Sequence, residues 1–139
     1  MLHHLQQHGT VKTRVSLALV DDAAKTWPAS PETGYLAGNE HVWVGARKLV
    51  ADGSNQGKSG YQSVPYVGTE DRGKPDITAA ALKDRLQWCQ DNGWQAMVHA
   101  NGDAAVETAV NTFHAIGPSD LRHRIEHCSM VNDDKLFDK

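Results

Sequence analysis

Met97-Val98-His99-Ala100-Asn101-Gly102-Asp103 is the stretch whose reading decides how this 139-residue chain folds. A short apolar strand, Gln95–Val98, runs out on His99. A polar turn follows, and a helix opens at Asp103. A second stretch has the same form: Arg122-His123-Arg124-Ile125-Glu126-His127-Cys128 also ends its apolar run on a histidine. Upstream, Lys48 stands in Gly45-Ala46-Arg47-Lys48-Leu49-Val50-Ala51-Asp52-Gly53-Ser54. Three potential metal ligands at or near strand ends point to one site at one end of a parallel sheet. In α/β folds that end is where chemistry collects.

Working outward, the other elements fall into the same alternation. Met1–His8 reads as the last turns of a helix stopped by Gly9, with His4 and His8 on one face. Arg14–Val20 reads as a strand, with Val15, Leu17 and Leu19 on one side. Asp21–Glu40 is weakly periodic and interrupted by Pro28, Pro31, Gly34 and Gly38, which predicts a short helix or a loop. His41–Ala51 is apolar on both sides, as a strand covered on both faces would be. Gly53–Asp76 is a long Gly, Ser and Pro-rich connection, a length usually reserved for functional or disordered loops. Ile77–Asn92 is predicted as a helix from Leu82, Leu86 and Cys89 at helical spacing, ended by Gly93. Asp103–Ile116 is the next helix, with Asp103 as its expected N-cap and Val106, Ala109, Val110 and Phe113 as its stripe; Gly117-Pro118 closes it. Leu121–Cys128 is a further strand, and Asn132-Asp133-Asp134 opens a last helix. Alternation of this kind predicts a single α/β domain with a parallel sheet and crossover helices.

Composition removes several function classes. Net charge is −3 and the isoelectric point about 6.2, which gives no electrostatic case for nucleic acid or an acidic membrane. No apolar run approaches eighteen residues and no charged-then-apolar leader begins the chain. The expectation is a cytoplasmic protein without a membrane span. Cys89 and Cys128 do not form a metal-type pair and are expected as buried thiols rather than a disulfide.

Two rival motifs compete with a strand-end metal site. Gly53-Ser54-Asn55-Gln56-Gly57-Lys58-Ser59 ends like a phosphate-binding loop, but has three residues between its glycines where four are needed. Gly60-Tyr61-Gln62-Ser63-Val64-Pro65 then follows instead of a helix whose N-terminus could face phosphate. His123-Arg124-Ile125-Glu126-His127 matches the inverted zinc-protease motif letter for letter, which works only on a helix. Its alternating charge around Ile125 suits a strand as well. If His99 and His127 instead close consecutive βα units, they stand side by side at one sheet end. Taken singly, each also reads as a hydrogen-bonded ring at a sheet rim, and Lys48 as a lysine extending to solvent.

These blocks, in this order and spacing, resemble the amidohydrolase superfamily, and most of all its amidohydrolase family 3 branch. They are Arg47-Lys48-Leu49-Val50-Ala51-Asp52-Gly53-Ser54, Val98-His99-Ala100-Asn101-Gly102-Asp103-Ala104-Ala105-Val106 and His123-Arg124-Ile125-Glu126-His127-Cys128, with Tyr61–Tyr66 ending in Pro-Tyr between the first two. The resemblance implies a (β/α)8 TIM barrel with one or two divalent metals, zinc above all, at the C-terminal ends of its strands. It implies that Lys48, His99 and His127 are metal ligands, with Lys48 at the position of the fourth-strand lysine that is carboxylated in many members. Asp52, Asp103 and Glu126 belong to the same blocks and take supporting or substrate-loop roles; regular alternation would point Glu126 away from His127. The implied activity is hydrolysis of carbon–nitrogen bonds other than peptide bonds in a small-molecule substrate. The family's first-strand His-x-His pair and eighth-strand Asp find no counterpart here. That register assigns the chain to roughly strands three to six, a partial barrel expected to self-associate or to need its missing half. The alternative expectation is an inactive fragment, or a structural or ligand-binding half-barrel using the Gly53–Asp76 loop.

Overall fold

A computed structural model describes residues 13–27 and 42–138. The expected Met1–His8 helix, with His4 and His8, and the part of the Asp21–Glu40 segment beyond Trp27 lie outside the described residues.

Four parallel strands form one open sheet in the order β1-β2-β3-β4. They are β1 (Val15–Val20), β2 (Val42–Val50), β3 (Gln95–Ala100) and β4 (Arg124–His127). Helix α1 (Asp21–Thr26) follows β1, α2 (Ala79–Asp91) precedes β3, and α3 (Asp103–Ile116) joins β3 to β4. Consecutive strands pair side by side, with Lys48 opposite both Val20 and Met97, and His99 between Val50 and Glu126. An open run of parallel strands in sequence order, with its helices on one face, is an arc of a (β/α) barrel.

The helices form because their apolar residues return to one face. Leu82, Leu86 and Cys89 of α2 are fully buried, as their spacing predicted. They meet Val98 and Ala96 of β3, Leu49 of β2, and Val106 and Ala109 of α3 in one core. Thr78 caps α2 by accepting the Ala81 N–H at 3.2 Å. At the other end of α3, Gly117 supplies the left-handed turn, φ 83°, that only glycine adopts without cost. Among the described residues, no helix covers the opposite face of the sheet. It carries Val20, Trp43 and Val50, all exposed, with Lys48 and His99 in register among them.

One helix-side position is not apolar. Arg47 is completely buried and forms an ion pair with Asp21, which also pairs with Arg85 at 2.7 Å. Its guanidinium lies 4.6 Å from the Trp88 ring centroid and donates to the Arg85 carbonyl at 3.3 Å. Strand β2 is thus tied to α1 and α2 by a single cation. Burial pushes the neighbouring Cys89 thiol up to about 11, in keeping with an inert core residue.

Four expectations need correction. Gly102, not Asp103, is the N-cap of α3; Asp103 is the first helical residue and its carboxylate is used elsewhere. Cys128 is exposed rather than buried, although both cysteines are free as expected. Strand β4 is four residues long, shorter than Leu121–Cys128, because Arg122 and Cys128 take left-handed φ values of 53° and 49° that end the ladder. After Asn132 the chain makes a 3-10 turn, Asp134–Asp138, in place of the opening α-helix.

Removing the cation should show how much the Arg47 tie matters. Arg47→Ala leaves Asp21 with only Arg85 and opens a void beside Trp88. We expect a loss of about 3 kcal/mol in unfolding free energy, measured by urea denaturation.

Candidate metal centre

The site is built at the C-terminal ends of β2, β3 and β4. His99 is on the open face of β3. His127 ends β4 opposite Ala100, whose side chain is buried on the helix side. Strict alternation would send His127 the same way. A φ of 70° at His127 breaks the alternation, and the two imidazoles meet edge to face with ring centroids 4.6 Å apart. Residues held in left-handed φ without being glycine are uncommon and concentrate at functional sites.

The ring of His99 is held through one nitrogen. Nε2 lies 2.8 Å from the Gly53 carbonyl oxygen, 3.0 Å from Asn101 Nδ2 and 3.7 Å from Asp52 Oδ1. A carbonyl or carboxylate behind one nitrogen is what orients a metal-binding histidine and leaves the other nitrogen to the ion. The donor chemistry therefore fits a divalent cation at His99 Nδ1.

Lys48 is half-buried on the same face, one pleat below His99 by register. Burial lowers its amine below the usual lysine range, with Glu126 opposing and Arg124 adding to the shift. Glu126 accordingly faces the Lys48 side of the sheet, beside His99 in register. The expected opposition of Glu126 and His127 is lost because the strand is irregular at its end. Glu126 accepts a hydrogen bond from Arg124 Nε at 2.6 Å.

Two carboxylates root the Gly53–Asp76 connection, which is an organised loop. Asp52 is fully buried and accepts the backbone N–H groups of Tyr61, Asn101 and Gly102 at 2.9, 3.0 and 2.8 Å. Asp103 accepts the Ser63 N–H at 2.8 Å, the Ser63 hydroxyl, and Asn132 Nδ2 at 2.5 Å. The loop is pressed so close to the β3–α3 turn that a Cβ on Gly102 would lie 2.0 Å from the Tyr61 carbonyl oxygen. For Asp103, burial works to raise the pKa, but the hydrogen bonds from Ser63, the Ala104 N–H and Asn132 outweigh it and hold the carboxyl below its usual value.

The rival motifs do not assemble. Asn55–Lys58 is a turn, with Lys58 at φ 53°, and no helix follows. His123 lies at the foot of β4, at the opposite end from His127. It accepts the Ala96 N–H at 3.0 Å through Nδ1 and stacks on Phe113 at 5.8 Å. Two concave parts of the surface lie there too, beside α3 and β4, lined by Val110, Phe113, Gly117 and Pro118 among others. Among the described residues, no three His, Cys, Asp or Glu side chains converge as a ready-made metal cage. Sequence reasoning overlooked Asn101 and Ser129. The first was within the opening stretch, as a polar residue two places after a candidate ligand.

A family model described as "Amidohydrolase family" matches residues 1–138. Two crystal structures of uncharacterized metal-dependent hydrolases superpose on the chain. That from Pyrococcus furiosus has a TM-score of 0.78 and 26% identity over 96% of this chain. That from Pyrococcus horikoshii OT3 has a TM-score of 0.76 and also 26% identity over 96%. The matched region is 28% and 27% of those two chains respectively, so this chain spans little more than a quarter of their length. No curated protein sequence matches significantly.

The rooting of the loop has a pH signature. A carboxyl held low in the folded state contributes stability above its unfolded pKa, near 4, and loses it as pH falls through the folded value. Comparison of Asp103→Asn with the parent should show a less stable variant at pH 7. The gap between them should narrow as urea midpoints are followed below about pH 4.

Proposed function

The chain belongs to the amidohydrolase family, and from that premise we propose that it carries part of the active site of a metal-dependent hydrolase opening carbon–nitrogen bonds, other than peptide bonds, in small molecules. The proposed ligands are Lys48, His99 and His127 around one or two divalent cations. Zinc is the metal of choice, since imidazole nitrogen and carboxylate-type oxygen are both among its ordinary ligands. The observation that carries the reading is the pair of imidazoles 4.6 Å apart at neighbouring strand ends, with His99 backed by the Gly53 carbonyl.

The chemistry a divalent cation supplies there is Lewis acidity, which brings the pKa of water towards neutrality and polarises a substrate carbonyl. The protein's own residues prepare for it. His99 offers Nδ1 while Nε2 is held. Burial favours the neutral amine of Lys48, the form that adds carbon dioxide: its nitrogen bonds to the carbon, a proton leaves, and a cation becomes an anionic carbamate. Asp52 backs the His99 ring and Asp103 roots the loop that would flank a substrate, while Glu126 favours the ammonium form of Lys48 and so opposes the effect of burial. The remaining ligands and substrate contacts are proposed to come from outside these residues. A cytoplasmic location goes with this reading and agrees with two unpaired thiols; no helix among the described residues is long and apolar enough to cross a membrane.

Elemental analysis of protein prepared without a histidine tag tests the proposal. We expect bound zinc that is lost in His99→Ala and in His127→Ala and kept in His114→Ala. Zinc-free parent protein, or zinc indifferent to both substitutions, contradicts it.

A second reading is an inactive, self-associating half-barrel that serves as a structural or ligand-binding module. It is favoured by the lack of a converging acidic or histidine triad among the described residues and by the exposed Val20, Trp43 and Val50. Among the described residues β1 and β4 each pair on one side alone, and open parallel edges invite pairing. Two copies joined edge to edge would supply eight strands, the number in a closed barrel of this kind. Light scattering at micromolar concentration is expected to give a dimer or larger species; a monodisperse monomer rules out self-association.

A further inference from the structure

We propose that His123 is an acid-sensitive clasp: its neutral imidazole holds the foot of β4 to β3, and uptake of a proton releases it. The clasp lies at the opposite end of β4 from His127. It stands whether or not the upper end of the sheet holds a metal.

Regular pairing of the two strands begins at Met97 and Arg124. Below that row Arg122 takes a φ of 53°, and the backbone leaves the ladder. Two side chains replace the missing ladder bonds. His123 Nδ1 accepts the Ala96 N–H at 3.0 Å. In the other direction, Gln95 Nε2 donates to the Leu121 and Arg122 carbonyls at 3.1 and 2.8 Å. The carboxamide half of this clasp does not titrate, whereas the imidazole half does. Because Nδ1 accepts, the neutral ring carries its proton on Nε2. That nitrogen is buried, with no hydrogen-bond partner among the described residues. A second proton has only Nδ1 to go to. There it would set N–H against N–H and leave Ala96, which is fully buried, with an unsatisfied donor. Phe113 of α3 stacks on the ring, with centroids 5.8 Å apart and planes 15° from parallel. The charged and titratable groups on the surrounding elements are few. Arg122 and Arg124 flank the ring on its own chain and line the same hollow. His114 stands beside Phe113 on α3, and Asp120 is in the turn that leads to β4. On β3 the neighbours are Gln95 and Met97, which carry no charge. Burial holds the ring below the usual histidine range, in keeping with the geometry. A histidine held low in the folded state contributes stability that is complete above its unfolded pKa, about 6.5. That stability is lost as pH falls from there towards the folded value.

The test follows the ring and the amide it holds in one sample. Proton–nitrogen NMR of the full 15N-labelled chain, free of metal, is recorded from about pH 8 down to about pH 4.5, which brackets ordinary histidine titration. The His123 ring is expected to be a single Nε2–H species at the upper end and to titrate below about pH 6.5. The Ala96 amide shift is expected to move with the same midpoint. Protection of that amide, corrected for intrinsic exchange, is expected to fall by up to about tenfold per pH unit across the window. His123→Asn should abolish this pH dependence at Ala96, and His114→Ala should retain it. Should His123→Asn fail to fold, the parent's own two titration curves decide the matter. A His123 ring that takes up its proton while Ala96 stays protected overturns the inference. So does a ring that shows no titration in this range, or an unchanged pH dependence of Ala96 in His123→Asn. Because the readout is metal-free and at the foot of the sheet, a failure to bind zinc leaves this result untouched.

Discussion

A single buried carboxylate holds the upper end of this structure together. Asp52 has no contact with solvent and accepts three backbone N–H groups from two different loops. Hydrogen bonds to a charged acceptor contribute about 1.5–3 kcal/mol each, and each buried donor left without a partner costs a similar amount. The β3–α3 turn and the loop at Tyr61 therefore have a strong reason to be where they are. His99, Gly53 and Asn101 take their places from that arrangement. Cutting Asp52 out of the description would leave two histidines at strand ends with nothing to set their rings.

The identity of the acceptor also explains why the site is at this end of the sheet. Parallel strands finish with N–H and carbonyl groups pointing up into the loops, and each helix start adds further unpaired donors. Asp52 accepts the Gly102 N–H at the start of α3, and Asp103 accepts the Ser63 N–H of the long loop. The ends of β2 and β3 are thereby rigid, while the open face beside them carries Lys48 and His99. Ligand atoms on strand ends and rigid turns are better placed for an ion than atoms on a mobile loop.

Much of this architecture was legible in the residues. The spacing of Leu82, Leu86 and Cys89 located α2, and Gly93 and Gly117 marked two helix ends. The repeated strand-then-histidine form located β3 and β4 and brought His99 and His127 together. What was not legible depended on torsions that residue type does not announce. Arg122, His127 and Cys128 take left-handed φ without being glycine. That shortened β4, exposed Cys128 and put Glu126 and His127 in unexpected relation. Asp103 reads as a helix cap by composition, yet a long-range partner, Ser63, took its carboxylate. Arg47 scores as a surface residue by hydropathy, and only the converging Asp21, Arg85 and Trp88 make its burial intelligible.

The contact between Gly102 and the Tyr61 carbonyl divides the Gly53–Asp76 loop into two zones with different tolerance to change. The root, up to Ser63, is jammed backbone against backbone and has no room for a side chain at position 102. The tip, at Val67 and Gly68, is exposed, Val67 to 99%, and the turn is closed by Tyr66 N–H to the Asp71 carbonyl and Thr69 N–H to the Tyr66 carbonyl, while the Tyr66 hydroxyl ties its near side to the root by donating to the Gly60 carbonyl at 2.8 Å. Insertions, deletions and new side chains at the tip would leave the root seated. Divergent relatives could thus remodel what this loop meets while its base goes on holding the imidazole, so that recognition and ligation are free to evolve at different speeds.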